Sequence, residues 1–173
     1  MATLIPWFER VFRFDVPDAV FPNVLERLRG APARLEERLG PLSREVLVRK
    51  PDGTWSIQEN AGHLADLEPL WAARVQDFVQ GHERLQVADL TNRRTHEAHH
   101  NEAPVAAVLG TFRSARQALV RTLQGLDPTA FSKTALHPRL GTPMRLIDHM
   151  LFVAEHDDHH LARITQLLGA DGL

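Results

Sequence analysis

The chain has 173 residues, 43% of them hydrophobic and 24% charged, which suits one domain with a packed core and does not suit a disordered segment. Its formal net charge of −2 at pH 7 argues against a general nucleic-acid surface, which needs an excess of Lys and Arg. With no cysteine there is no disulfide framework, no thiolate zinc site and no cysteine nucleophile.

Residues 1–13 carry Pro6, Glu9 and Arg10 inside their apolar part and do not read as a signal peptide. No apolar run is long enough to span a bilayer. The expected location is the cytoplasm, with a small molecule as partner and neither nucleic acid nor membrane. Trp7, Phe8, Val11, Phe12 and Phe14 form an aromatic segment expected to dock on its own domain. Apolar spacing of three and four then predicts a first helix over 20–39, through Val24, Leu25, Leu28, Leu35 and Leu39, with a break or kink near Gly30-Ala31-Pro32. Residues 42–51 read as a connector in which Val46-Leu47-Val48 has strand character.

A second helix opens sharply at Ser56-Ile57-Gln58-Glu59, a capping box, after the turn signal Asp52-Gly53. It runs to about Gln80, stops at Gly81, and carries Pro69, which predicts a kink. Residues 85–103 form a long polar connection. Pro104 opens a third helix, with Val105, Val108, Leu109, Phe112, Leu119 and Leu123 on one side, ended by Gly125. After a connection over 127–141, Thr142-Pro143 predicts the N-cap and first turn of a fourth helix that runs to about Leu168. Four long helices with long connections and no sustained strand alternation indicate an all-α, four-helix bundle with at least one crossover, forming a single domain over 1–173.

Ten histidines, mostly clustered, direct attention to imidazole chemistry. On the fourth helix the apolar stripe is Leu146, Met150, Val153, Ile164 and Leu167. At ~100° per residue, His160 falls about 40° and His156 about 80° from the stripe's centre, on one side, with His149 between them and His159 about 140° away, near the solvent face. His156 and His160, four apart, can point at one ion from the edge of the core. His63, at the edge of the second helix's stripe, is the best third ligand for a site of three protein ligands plus water; Glu59 or Asp66, one turn away, is placed to fix its tautomer. Asp157 sits near the middle of an apolar stripe, where a carboxylate needs a partner: a histidine ligand or a basic residue in a neighbouring chain. His96-Glu97-Ala98-His99-His100 matches H-E-x-x-H literally, but its polar flanks read as a solvated loop rather than the buried helix a zinc protease needs. That segment is placed to cover the mouth of a pocket.

Three stretches together resemble the DinB-like (YfiT-like) superfamily: Trp55-Ser56-Ile57-Gln58-Glu59-Asn60-Ala61-Gly62-His63-Leu64, the run from Thr142-Pro143 to His149, and His156-x-x-x-His160. The resemblance covers roughly residues 20–168. It implies an up-down-down-up bundle with its crossover at 85–103, and a site for Zn²⁺ or Ni²⁺ whose ligands are His63, His156 and His160. The family often has Arg-Gly-Gln after its last histidine; Leu161-Ala162-Arg163 stands here.

The family includes transferases that use a low-molecular-weight thiol such as bacillithiol or mycothiol, thiol-dependent isomerases, and assigned metal-dependent hydrolases. The leading expectation is a metal-dependent enzyme of the thiol S-transferase kind, since a chain without cysteine would draw its nucleophile from an external thiol. In the hydrolase version Asp157 or Glu59 is the candidate general base. A non-catalytic metal-binding or stress-response module is the second reading, in which His149 supplies a fourth ligand. A metal-free bundle that forms a homodimer through an apolar face is the third.

Overall fold

A computed structural model describes residues 3–170. In chain order its helices are α1 (Phe21–Leu39), the single-turn α2 (Arg44–Val48), α3 (Ile57–Gln80), the short α4 (Arg93–Glu97), α5 (Val105–Gln124) and α6 (Leu146–Ala170). The α3 capping box forms as its sequence dictates: the Ser56 Oγ accepts from the Glu59 backbone N–H (3.0 Å) and Glu59 Oε2 accepts from the Ser56 N–H (2.8 Å). Gly81 ends the helix in the left-handed region at φ 75°. Among the described residues no helix is long and apolar enough to cross a membrane.

Three local expectations are corrected. Helix α1 does not break at Pro32. Proline removes the N–H that would bond the carbonyl four residues back, that of Leu28, and Arg116 Nη1 of α5 donates to this freed carbonyl instead (3.3 Å). Val46-Leu47-Val48 is helical, because Ser43 caps the turn by accepting from the Val46 N–H. Thr142-Pro143 does not start α6. It belongs to strand β2 (Thr142–Arg145), paired antiparallel with β1 (Thr134–His137) in the register Thr134↔Arg145 to His137↔Thr142. The all-α expectation thus becomes a helical bundle with one small hairpin. On its other side Leu136 bonds the crossover chain, donating to the Glu83 carbonyl (2.8 Å) and accepting from the Leu85 N–H (3.1 Å). Pro143 therefore lies on the edge strand, where a missing donor is tolerated.

Around the bundle α1 packs on α5 and α6, and α3 packs on the same two. Arg27, Arg34 and Arg38 of α1 meet α6 in ascending order, at Glu155 and Asp158, then Asp158, then Leu161 and Thr165. Gln58 and Glu68 of α3 likewise meet Ala103 and Arg116 in ascending order.

The apolar core is in two parts. One contains Leu28, Trp71, Phe78, Leu119, Met150 and Val153; the other Leu35, Leu64, Phe112, Ile164 and Leu167. Between them lies a buried polar layer. Arg116, 1% exposed, donates to Glu68 Oε1 (2.5 Å from Nη2), to both oxygens of Asp157 and to Leu28. One guanidinium serves two carboxyls. Burial raises the Glu68 pKa to about 7, outweighing the nearby charge of Arg116.

Removing Arg116 would leave two buried carboxyls without a cation. Arg116→Met is expected to lower unfolding stability by about 3–5 kcal/mol, read from urea denaturation. Arg29→Ala, which removes an exposed pair with Glu26 on one helix face, is expected to cost less than about 1 kcal/mol.

Candidate metal centre

The polar layer continues directly into the histidines. His63 of α3 and His156 and His160 of α6 are 4%, 5% and 7% exposed, and one nitrogen from each lies within 4.8 Å of the others. Their ring centroids are 4.6–5.3 Å apart.

Hydrogen bonds behind the rings set two tautomers. The Asn60 amide nitrogen donates to the Ser56 carbonyl (2.8 Å), so its Oδ1, 2.9 Å from His160 Nδ1, is the acceptor. His160 therefore carries its proton on Nδ1 and leaves Nε2 as a lone pair. At His63 the chain is longer. The Thr95 hydroxyl gives its proton to Asp66 Oδ2 (2.9 Å), so it can only accept from His63 Nδ1 (3.0 Å), which again frees Nε2. Asp66 is held in turn by His100 Nε2 (2.8 Å). His100 lies flat against α3 because residue 62 is glycine: a Cβ there would come within 2.4 Å of its ring. The Nδ1 of His156 is buried and has no partner.

All three imidazoles are held neutral. Burial pulls the His63 pKa down to about 4 despite Asp66. Burial, and then the neighbouring histidines, place His156 and His160 well below the usual range. Neutral rings with free lone pairs are what a borderline-soft divalent ion binds. At Zn–N lengths of about 2.0–2.1 Å the three nitrogens stand about 3.4 Å apart, so closing on an ion needs shifts below about 1 Å. The donor set fits such a metal, and the orphaned His156 nitrogen is the kind of group that lacks a partner until an ion arrives.

The histidines form one wall of a cavity of about 260 Å³. All three tryptophans of the chain line it. Trp55 lies over His63 (4.7 Å between centroids), while Trp7 and Trp71 meet His156 edge-on at 4.9 and 5.8 Å. The N-terminal segment thus docks on its own domain, with Trp7 packed on Phe12 and Phe152. Val87, Leu90 and Asn92 of the crossover also line it, whereas residues 96–100, expected at its mouth, are not among the lining residues. No Asp or Glu lines the cavity among the described residues.

Several neighbouring residues take other roles than expected. Asp157 bonds Arg116 and Glu59 bonds Ser56 and Lys50, so neither is placed as a general base. Glu59 likewise does not touch His63. His149 is wholly buried beside Trp71, Phe78 and His137 and stands outside the three-histidine group, because a seven-residue step places it two turns away from His156. His159, expected near the solvent face, is half-buried, with the Trp7 ring at 5.6 Å. The H-E-x-x-H match fails as a helical motif, since α4 ends at Glu97 and His99 takes φ 50°. Asn60, Thr95 and His100 carry no local signal in the sequence, as their roles depend on contacts 32 to 100 residues away.

The sequence profile of the DinB superfamily matches residues 27–164. No curated protein matches the chain. Among solved structures it is similar to YfiT from Bacillus subtilis, described as a probable metal-dependent hydrolase with an unusual four-helix bundle topology. The two share 20% identity over 95% of this chain and 94% of YfiT, with a TM-score of 0.81. It is also similar to a mycothiol-dependent maleylpyruvate isomerase, at 13% identity over 87% of this chain and 62% of the isomerase, with a TM-score of 0.66. At these identities the likeness is one of fold.

The buried histidines set a pH dependence for the metal-free protein. Their folded pKa values lie below the unfolded value near 6.5, so on acidification the unfolded chain takes up protons first. Stability is then fully present above about pH 7 and declines as pH falls toward 4. The Tm of the EDTA-treated protein is expected to drop steadily from pH 7 to pH 5. A Tm independent of pH over that window would contradict the burial assigned to these rings.

Proposed function

Since the chain belongs to the DinB superfamily, we propose that it is a metal-dependent S-transferase, with His63, His156 and His160 holding a divalent ion, Zn²⁺ or Ni²⁺, and a low-molecular-weight thiol of the bacillithiol or mycothiol kind as co-substrate. A bundle in up-down-down-up order is part of this reading, supported by the ascending contacts of α1 with α6 and of α3 with Ala103, just before α5, and Arg116 within it. The observation that carries the proposal is the three-histidine group at the wall of a tryptophan-lined cavity that has no carboxylate among the described residues.

A bound divalent ion would supply Lewis acidity and lower the pKa of a coordinated protic group. The chain's own residues do the remaining work. Asn60 and Thr95 orient His160 and His63 so that Nε2 of each faces the cavity. Trp7, Trp55 and Trp71 exclude water and offer flat apolar faces to an electrophile. No side chain of the lining is an acidic general base, and no cysteine is available anywhere in the chain. A nucleophile brought in by a co-substrate suits such a site better than water that must be deprotonated by the protein. In the transfer the thiol sulfur forms a bond to the electrophilic carbon, the leaving group departs with its electron pair, and the thiol proton passes to solvent.

Hydrolysis is the second reading, favoured by the fold likeness to YfiT. One assay separates the two. Metal-loaded protein is offered an aryl halide with bacillithiol, mycothiol, glutathione or no thiol, beside a p-nitrophenyl ester without thiol. Thiol-dependent conjugation, reduced about a hundredfold or more by His156→Ala, is expected. Ester turnover without thiol and no conjugation with any thiol would replace the transferase reading with the hydrolase one.

A further inference from the structure

The far end of the same cavity is crowded with hydrogen-bond donors and short of acceptors. Arg74 of α3 is 2% exposed. Its Nε donates to the Gln86 carbonyl (2.9 Å) and its Nη1 lies 3.1 Å from His137 Nε2. It has no carboxylate partner among the described residues; the nearby Asp77 is committed to His82 and to the Gln86 N–H. Burial holds the Arg74 pKa down to about 10, so it remains a cation at neutral pH. A second cation, Arg139, arrives from the hairpin turn. Its guanidinium lies over Trp7, Phe8 and Phe152, and its Nη2 is buried without a partner. The indole N–H of Trp71, also lining the cavity, is buried and unpartnered.

His137 sharpens the imbalance. Its Nδ1 faces the Leu140 N–H at 3.2 Å while its Nε2 faces Arg74. A neutral imidazole has a single acceptor nitrogen, so one of these contacts sets donor against donor. Two guanidiniums, an imidazole and an indole therefore converge on one space with no anion to receive them. Buried donors without acceptors are costly, and an anionic group is the acceptor that relieves all of them together.

We propose that Arg74, Arg139, His137 and Trp71 form a carboxylate-binding subsite, and that the molecule acted on at the histidines carries its carboxylate there. Leu67, Leu70 and Phe152 lie along the same cavity. The ligand is then a small carboxylic acid with an apolar or aromatic body, its acid end on the arginines and its reactive end at His63, His156 and His160. The subsite deepens the enzyme reading, but its binding step does not require the metal.

Two matched pairs test it by quenching of the three tryptophans or by calorimetry: 4-phenylbutyrate against 4-phenylbutanol, and N-acetylcysteine against N-acetylcysteamine. The first pair places the carboxylate on the electrophile and the second on the thiol. Each pair is titrated into the metal-loaded protein, the EDTA-stripped protein, and the variants Arg139→Met and Arg139→Lys. The acid of at least one pair is expected to bind about tenfold or more tightly than its neutral partner, with and without metal. Arg139→Met should abolish that preference and Arg139→Lys should retain most of it. Arg139 is half-buried in a turn, so these variants keep the fold testable where Arg74→Met is at risk of unfolding. Equal binding of acid and neutral partner in both pairs would overturn the proposal, as would a preference that survives Arg139→Met. A preference seen only with metal would also overturn it, locating the carboxylate at the histidines and leaving the metal reading intact. A preference that persists in a protein that never takes up metal would support the subsite and defeat the metal reading instead.

Discussion

The guanidinium of Arg116 holds the four long helices at one level. From α5 it donates to Glu68 on α3, to Asp157 on α6 and to the Leu28 carbonyl on α1. Each contact depends on another local feature. The Leu28 carbonyl is free because Pro32 has no N–H to bond it, and Asp157 sits in an apolar stripe because a buried cation awaits it there. A buried ion pair is weak evidence for stability but a strong constraint on geometry, since any slip of one helix unpairs a charge. Asp157 immediately follows His156, so fixing its carboxylate fixes the rotation of α6 and with it the direction of both α6 histidines.

Around that constraint the protein places groups that are individually unfavourable. Three imidazoles are buried in contact, their nitrogens within 4.8 Å, and two arginines share a cavity without a carboxylate among the described residues. Neither arrangement lowers the energy of the empty molecule. Both make physical sense as binding sites for opposite charges, a cation at one end and an anion at the other, separated by tryptophan faces. The crossover lines part of the cavity and also supplies Thr95 and His100, which lock the His63 tautomer. Lining and orientation thus come from one segment.

Features governed by local periodicity were legible in the sequence. The Ser56–Glu59 cap, the four long helices, and the stacking of His156 with His160 all follow from spacing within one helix. That Asp157 needs a partner was legible from its place in an apolar stripe; that the partner is Arg116 of the same chain, rather than a base on a neighbouring chain, was not. What was not legible depended on distant contacts. The β1–β2 hairpin is only four residues per strand, too short for an alternation signal, and Thr142-Pro143 imitates a helix start. With it went His137 and Arg139, and so the anionic subsite. Continuity of α1 through Pro32 depended on Arg116, 84 residues onward and invisible to a local rule; Thr95 and His100 were hidden in a connection with no period.

The central claim is that His63, His156 and His160 bind one metal ion. Elemental analysis of untagged protein, beside the double variant His156→Ala, His160→Ala, tests it most directly. About one equivalent of Zn or Ni per chain in the parent, absent from the variant, is the predicted result. No bound metal in the parent, even after incubation with Zn²⁺ and Ni²⁺ at neutral pH, would contradict it.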